Sequence, residues 1–583
     1  MRNSRAKWGL VLGGLILMAG ARGVLHRVDS RGKEARLFSG GSPDAQDPEA
    51  ILVASLLGGF RGVFATALWL RAQTLKSEGK YYEMIDNYRM ITRLQPGHAA
   101  AWAFQAWDLA YNVSVDFTND PADRVFWVFR GINLLRHEAI PRNPRSPELH
   151  QELAWIFHHK LGFDTDDARA HYRRRLANEV SRALGPIPPS AWRVYGEIAD
   201  LRERFPTRRS FLGEPSVVAQ LKRLHEIAPQ VDLLREALAL SQRPPKGLAE
   251  LLREAPMKEA IRRAGLWQIG AAIKKDLGMS PRRMMNLCER LGPIDFRLPE
   301  AQALYWGSIA EQLQNETRPD KMVMRYQFVI NHSLMKLVLT GDAMETSDGQ
   351  LFFLPNYDFS ESVVKVMEER FAEHRKRNED RHRRGLSERS DDALREGYKN
   401  FLINMALNTY LDERPMLCAK MLERLRELTG DNQAYGLDAK GFVARELARR
   451  LETMSDGQAL ALVRVFFVRG CVRLARGDRG GYRRRVGWAR LLHKFLVDRE
   501  RKLRPEGTAE GKLSAGSIPR LFDLKRRSLL LMLEGKLPQL GGRDRIQALL
   551  SRLRGVDPAL HEALRSAWRR RTEPPASVKG GAR

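Results

Sequence analysis

The chain has 583 residues and a net charge of +28, with 43% hydrophobic residues, enough apolar content for packed cores. That length fits about two to four domains or one long solenoid. Leu, Ala, Arg and Glu dominate while Val, Ile and Thr are sparse, which favours helix over strand. About +19 of the charge falls after residue 440, and a basic surface attracts anionic lipid, nucleic acid or acidic proteins, unless Arg has simply replaced Lys on solvated helix faces. Cys288, Cys418 and Cys471 are far apart and odd in number, with no C-x-x-C pair. They exclude a disulfide framework and a thiolate metal site and read as buried apolar fillers.

Arg2, Arg5 and Lys7 precede an apolar run of about 14 residues from Trp8 to Ala21. That is a signal-type h-region, short for a bilayer span of about 20 residues. Ala19-Gly20-Ala21 offers a cleavage pattern, so residues 1–25 are either an uncleaved anchor or a removable signal peptide. Both send the chain to a membrane with its bulk beyond it: tethered and extracytoplasmic in the first case, exported in the second. Residues 26–48 read as a linker, with Gly40-Gly41-Ser42-Pro43 and Asp47-Pro48. A second apolar stretch, Ala50 to Leu70, carries Arg61 at its middle among Gly58, Gly59 and Gly62. A charge is costly at a bilayer centre, so this stretch reads as a packed helix.

From there a helical period takes over. Over 49–185 it fits tetratricopeptide-type hairpins, whose repeat of about 34 residues places small residues where helices touch and a Pro at the exit. With Gly79 at the hairpin turn, Ala72 takes the small position, Leu75 a large one, Tyr81 and Tyr88 aromatic ones, and Pro96 the exit. The next unit puts Trp102, Ala106 and Leu109 on matching positions. Asn112 to Pro121 reads as a polar insertion before a helix near Ala122–Ala139. Pro147–Leu161 and Asp166–Leu184 form a third pair. Residues 186–376 read as a helical middle region with a short extended insert near 346–355, where Gln350 to Leu354 is bounded by Gly349 and Pro355. Residues 377–391 read as a charged linker and 392–572 as a basic helical region. There, Asp392–Leu411 pairs with Arg414–Leu428, and Gln458–Arg476 with Tyr482–Leu503. Helices near Pro519–Glu534 and Arg543–Arg554 follow, and 573–583 is a tail. Each hairpin has apolar residues on more than one face, so neighbours must stack. The fold class expected is all-α: degenerate tetratricopeptide-like hairpins stacked as an α-solenoid, behind an N-terminal membrane or signal helix.

Two blocks carry a resemblance. The first runs through Phe60-Arg61-Gly62, Trp69-Leu70-Arg71-Ala72, Gly79, Tyr81 and Gln95-Pro96 to Trp102-Ala103-Phe104-Gln105-Ala106-Trp107 and Tyr111-Asn112-Val113-Ser114. The second is Gly292-Pro293-Ile294-Asp295-Phe296-Arg297-Leu298-Pro299-Glu300-Ala301-Gln302-Ala303-Leu304-Tyr305-Trp306. Together they resemble uncharacterised, N-terminally anchored tetratricopeptide-containing proteins of planctomycete-type bacteria. The resemblance implies a membrane segment and a helical-repeat body, and no reaction.

Few residues suggest chemistry. His150, His158, His159 and His171 lie near Asp164, Asp166 and Asp167, but their spacing matches no metal-ligand motif, and adjacent His158 and His159 point about 100° apart on a helix. Asp295 and Glu300 are the one carboxylate pair of interest, although an acid in a first helical turn is favoured by the helix dipole alone. No nucleophile elbow and no phosphate loop are present. No catalytic residue, cofactor or metal is therefore expected. The function expected is a membrane-associated scaffold for unidentified protein partners, with Arg71, Gln105, Asp108 and Asn112 as candidates for a concave binding face. Two alternatives stand. One is a hydrolase or lyase acting on cell-envelope polymer, with Glu300 as the acid. The other is a binder of anionic lipid or envelope polymer through Arg483, Arg484, Arg485, Lys525, Arg526 and Arg527. No nucleic-acid-binding signature accompanies these clusters, so nucleic acid is not an expected partner.

Overall fold

The computed structural model describes residues 61–117, 120–163, 166–185, 187–227, 250–317, 324–345, 351–387, 390–431, 435–436, 438–503, 519–533 and 543–572. The expected signal segment 1–25, linker 26–48 and tail 573–583 lie outside them. The described residues are helical apart from short 3-10 turns and one two-stranded hairpin, and they divide into two compact units, the second beginning at His374.

In the first unit, α1 (Arg61–Ser77) and α2 (Tyr81–Leu94) form an antiparallel pair. The turn between them rests on Gly79 at φ +71°, a left-handed conformation that costs glycine little. Ala72, Leu75, Met84, Tyr88 and Ile91 fill the space between and beneath the two helices, with Leu109 and Trp127 from the next pair. The following helices are α3 (residues 99–116), α4 (121–142) and α5 (147–161). Asp120 caps α4 by accepting from the Ala122 amide, and Ser146 caps α5 by accepting from Leu149. In each case Pro sits at the first helical position, where no amide hydrogen is needed.

All three helices pass from α into π geometry: Asp108–Val113 in α3, Leu134–Ala139 in α4 and Ile156–Leu161 in α5. A π turn widens the helix and re-aims the side chains that follow, a feature frequent at functional sites. It also changes the reading of Asn112. The residues from 112 to 116 continue α3 instead of looping out, because the Asn112 amide donates to the Asp108 carboxylate within the turn at 2.6 Å.

Next come α6 (Arg169–Leu184), α7 (Val194–Arg204), α8 (Arg208–Leu212), α9 (Pro215–Ile227) and α10 (Ala255–Leu277). A local core of Phe205, Phe211, Val217, Met257 and Trp267 joins α8, α9 and α10, and the Trp267 indole donates to the Phe205 carbonyl at 2.8 Å. The unit continues through α11 (Pro281–Leu291), α12 (Pro299–Thr317), α13 (Met324–Thr340), the antiparallel strands β1 (Asp342–Glu345) and β2 (Leu351–Leu354), and the part of α14 (Ser360–Arg383) before His374. The chain thus stays helical to Arg383, into the segment that composition marks as a linker.

The main packing partner of α5 is α12, not α6. Every residue from Pro299 to Gly307 is buried, so the start of α12 has no polar face and must be surrounded. Helical period reveals each helix but not this non-local pairing.

The second unit holds α15 (Asp392–Leu411) with α16 (Pro415–Thr429), then α17 (Ala439–Thr453), and α18 (Asp456–Ala475) with α19 (Arg479–Leu503). Ser455 and Gln458 form a capping box at α18, and Gly477 turns the chain into α19 at φ +94°. Helices α20 (Leu521–Leu533), α21 (Arg543–Leu553) and α22 (Pro558–Thr572) follow. α22 comes after the last helix that periodicity picks out.

Helix contact sets one sharp contrast between glycines. A Cβ on Gly131 of α4 would lie 2.6 Å from the Ala106 carbonyl oxygen of α3, whereas one on Gly487 of α19 would meet nothing within 4 Å. Gly131→Ala is expected to destabilise by about 1–3 kcal/mol through overpacking. Gly487→Ala is expected to stabilise by up to about 1 kcal/mol through helix propensity. Denaturant unfolding of the two variants beside the parent measures both.

Candidate functional site: buried carboxylates in the first unit

The π turns position three buried polar clusters. In the first, Asp108 at the start of the α3 π turn is fully buried. Tyr88 of α2 donates its hydroxyl to Oδ2 at 2.9 Å, Asn112 donates to Oδ1, and Lys76 of α1 pairs with the same carboxylate. Gln73 donates to the Tyr88 hydroxyl at 3.3 Å. Burial, with the Asp108 charge beside it, pushes the Tyr88 phenol far above the usual tyrosine range. Gln105 is also buried, donating to the Tyr88 carbonyl at 3.2 Å.

In the second cluster, Lys160 in the α5 π turn and Arg124 of α4 each lie 2.7 Å from Asp166, and the Tyr172 hydroxyl of α6 donates to the same carboxylate. Lys160 also sits over the Tyr111 and Tyr172 rings at 5.5 and 5.9 Å. Burial lowers its pKa, against the opposing pull of Asp166.

The third cluster surrounds Glu300 at the start of α12, which is fully buried. Arg173 of α6 donates to Oε1 at 2.5 Å, and Lys336 of α13 lies 3.8 Å from the same oxygen. Gln302 donates to the Phe296 carbonyl at 2.8 Å. Beyond Lys336, His158 of the α5 π turn is hydrogen-bonded through Nδ1 to Ser333 Oγ at 3.0 Å, and its ring meets His332 edge-on at 5.1 Å. Phe163 and Phe328 both stack on the His332 ring and meet His158 edge-on. Burial, followed by His332, Lys336 and His159, pushes His158 down to about 3.

The acid proposed from sequence, Glu300, is locked between cations. Its neighbour in the pair, Asp295, instead lines a cleft of about 330 Å³ with Ser181, Tyr195 and Arg297, and Glu300 does not line it. Within this cleft Arg297 holds Asp295 by a bidentate contact, Nε to Oδ1 at 2.9 Å and a terminal nitrogen to Oδ2 at 2.6 Å. The histidines separate as well. His150 bonds to the Ser146 carbonyl, His171 is exposed on α6, and His158 and His159 share their neighbourhood with His332. Asp164 lies outside the described residues. Among the described residues no group of three or more His, Cys, Asp or Glu is placed to hold a metal ion. The role of His332 was missed from sequence. Phe328, His332 and Lys336 recur at helical spacing of four, and that period was the signal available.

Of the residues expected on a concave face, Arg71 is exposed and Asn112 half-buried, while Gln105 and Asp108 are turned inward to serve Tyr88 and Lys76. The basic clusters divide in the same way. Arg483, Arg526 and Arg527 are exposed, and exposed Arg484 pairs with Glu413 at 2.6 Å. Arg485 is buried against Asp412 at 2.9 Å, and Lys525 against Asp557 at 3.0 Å. A helix that carries cations at every position must turn some of them inward, and these two are neutralised there. The chain matches no known protein family, no curated protein and no solved structure.

Two outcomes follow from this burial. Glu300→Gln leaves a buried Arg173 facing a neutral amide and is expected to cost about 3 kcal/mol of unfolding free energy, read by denaturant titration. For His158, the unfolded chain takes up a proton near pH 6.5 that the folded chain refuses until about pH 3. Stability therefore falls as pH drops through that window, by about 1.4 kcal/mol per pH unit for this group. His158→Phe should flatten the slope of stability against pH between 6 and 4 (roughly) by that amount; an unchanged slope contradicts a buried neutral His158.

Proposed function

We propose that the chain is a membrane-associated helical-repeat scaffold that captures partner proteins, with a tetratricopeptide-like first section. The observation that carries this reading is the outer face of α1. Val63 is 66% exposed, Phe64 48% and Leu70 64%, with Ala67 exposed between them. Val63, Ala67 and Leu70 recur at helical spacing, so they share one strip with Phe64 on its flank. An exposed apolar strip on a helix marks a surface open to a partner. α2 exposes mainly polar residues, Glu83, Asp86, Arg89 and Arg93, together with Tyr82 and Met90. The apolar strip of α1 fits an amphipathic helix of a partner laid along it as the next layer of the stack. Arg71, exposed beside the strip, would meet an acidic residue of that helix.

The repeat reading is supported by the burial of Ala72 and Ala106, one repeat length apart and both fully enclosed where small residues let helices approach, and by the left-handed Gly79 at the turn. Membrane association rests on the sequence of residues 1–25. Among the described residues no helix is long and apolar enough to cross a membrane. On this reading the bulk of the chain lies outside the cytoplasm, tethered by that segment or exported after its removal. Its partners are proteins and, through the N-terminal segment, lipid.

Phe64→Glu with Leu70→Glu is expected to lower partner recovery at least tenfold in affinity purification while leaving helicity and unfolding midpoint unchanged, since both side chains face solvent. Asp108→Asn is expected to do the reverse in kind, lowering the midpoint by loosening Lys76 and Tyr88. Recovery that survives the double substitution would remove α1 as the capture surface.

A further inference from the structure

Helix α19 carries a second surface, independent of partner capture. Arg479, Arg483, Arg490, Lys494 and Arg501 are all exposed. Their spacing along the chain alternates four and seven residues. At about 100° per residue this confines all five to a strip roughly 60° wide, and at about 1.5 Å per residue it spreads them over roughly 33 Å of helix. Among the described residues none of the five meets a carboxylate. The arginines of α19 that do are Arg484 with Glu413, Arg485 with Asp412 and Arg499 with Asp456, and all three point off the strip. Asp498 is the exposed acid nearest its edge.

We propose that this strip is a docking rail for an anionic bilayer surface. Cations on one side of a straight helix lie close to a common plane, so a sheet of anionic headgroups meets all five at once. A nucleic-acid duplex carries its phosphates on two strands that wind around its axis, so a straight line of cations meets them only where a strand crosses it. Single-stranded nucleic acid is bound through aromatic stacking platforms, and the strip contains no aromatic residue. Trp488 lies on the opposite side of α19 and is half-buried. Each such cation held against an anionic leaflet adds to adsorption, and its contribution decays within about 10 Å at ordinary salt.

The test is equilibrium binding of the full chain to vesicles of phosphatidylcholine, with and without about one third phosphatidylglycerol, at low and high salt. The N-terminal segment, with Arg2, Arg5 and Lys7, contributes to both kinds of vesicle, so the rail is read from how a variant on α19 changes the difference between them. R483Q/R490Q/K494Q is expected to weaken binding to the anionic vesicles on the order of 100-fold and to leave binding to neutral ones unchanged. R424Q/R449Q, which removes exposed cations already paired with Glu427 and Glu446, is expected to change it less than twofold. Raising salt should abolish the difference between lipids for the parent chain. Losses in the two variants proportional to the three and two charges removed would show that overall charge drives binding and would overturn the rail, as would an unchanged triple variant. Tighter binding to a DNA duplex than to anionic vesicles at the same salt would overturn it in favour of nucleic acid.

Discussion

A carboxylate removed from water must find a cation, and in the first unit Glu300 finds two. Arg173 comes from α6 and Lys336 from α13, so one side chain at the start of α12 draws together helices far apart in sequence. The alternative, an unpaired charge in a low-dielectric interior, would cost several kcal/mol (about 3–5). Asp108 and Asp166 impose the same condition on α1–α3 and on α4–α6. Each cluster draws residues from a π turn or packs against one, and the widened turn aims Asp108, Lys160 or His158 inward where an ideal helix would have turned it elsewhere. Such networks give the helices a specific register, although apolar residues of similar volume could hold them as tightly.

The same condition bears on function. Residues that catalyse must reach a substrate, and Glu300 and Asp108 are enclosed by their own partners. Among the described residues, groups open to another molecule include apolar side chains on α1, cations on α19 and the cleft beside Asp295. The exposed strip on α1 is the ground on which a scaffold is proposed.

The helices themselves were legible in the sequence. The period over Pro147–Leu161 and Asp392–Leu411 gives their bounds to the residue or nearly so, and glycines 79 and 477 mark turns by a conformation other residues resist. What sequence withheld is non-local. Nothing in the period of α5 says that it packs on α12, and nothing in the run Arg483-Arg484-Arg485 says that the third member is buried, because its partner Asp412 lies in another hairpin. Gln105 and Asp108 look like surface polars among core positions until Tyr88 and Lys76 are seen to need them. The α19 strip was half visible as basic composition. Its alignment depends on which arginines are consumed by ion pairs, which only the fold decides.

The scaffold reading is tested most directly by a photo-crosslinking side chain placed at Phe64 in the full chain, in its native cells, with Glu83 on the polar face of α2 as the control position. Discrete adducts to another protein are expected from position 64 and none from position 83. Adducts confined to the chain itself, or equal from both positions, would contradict it.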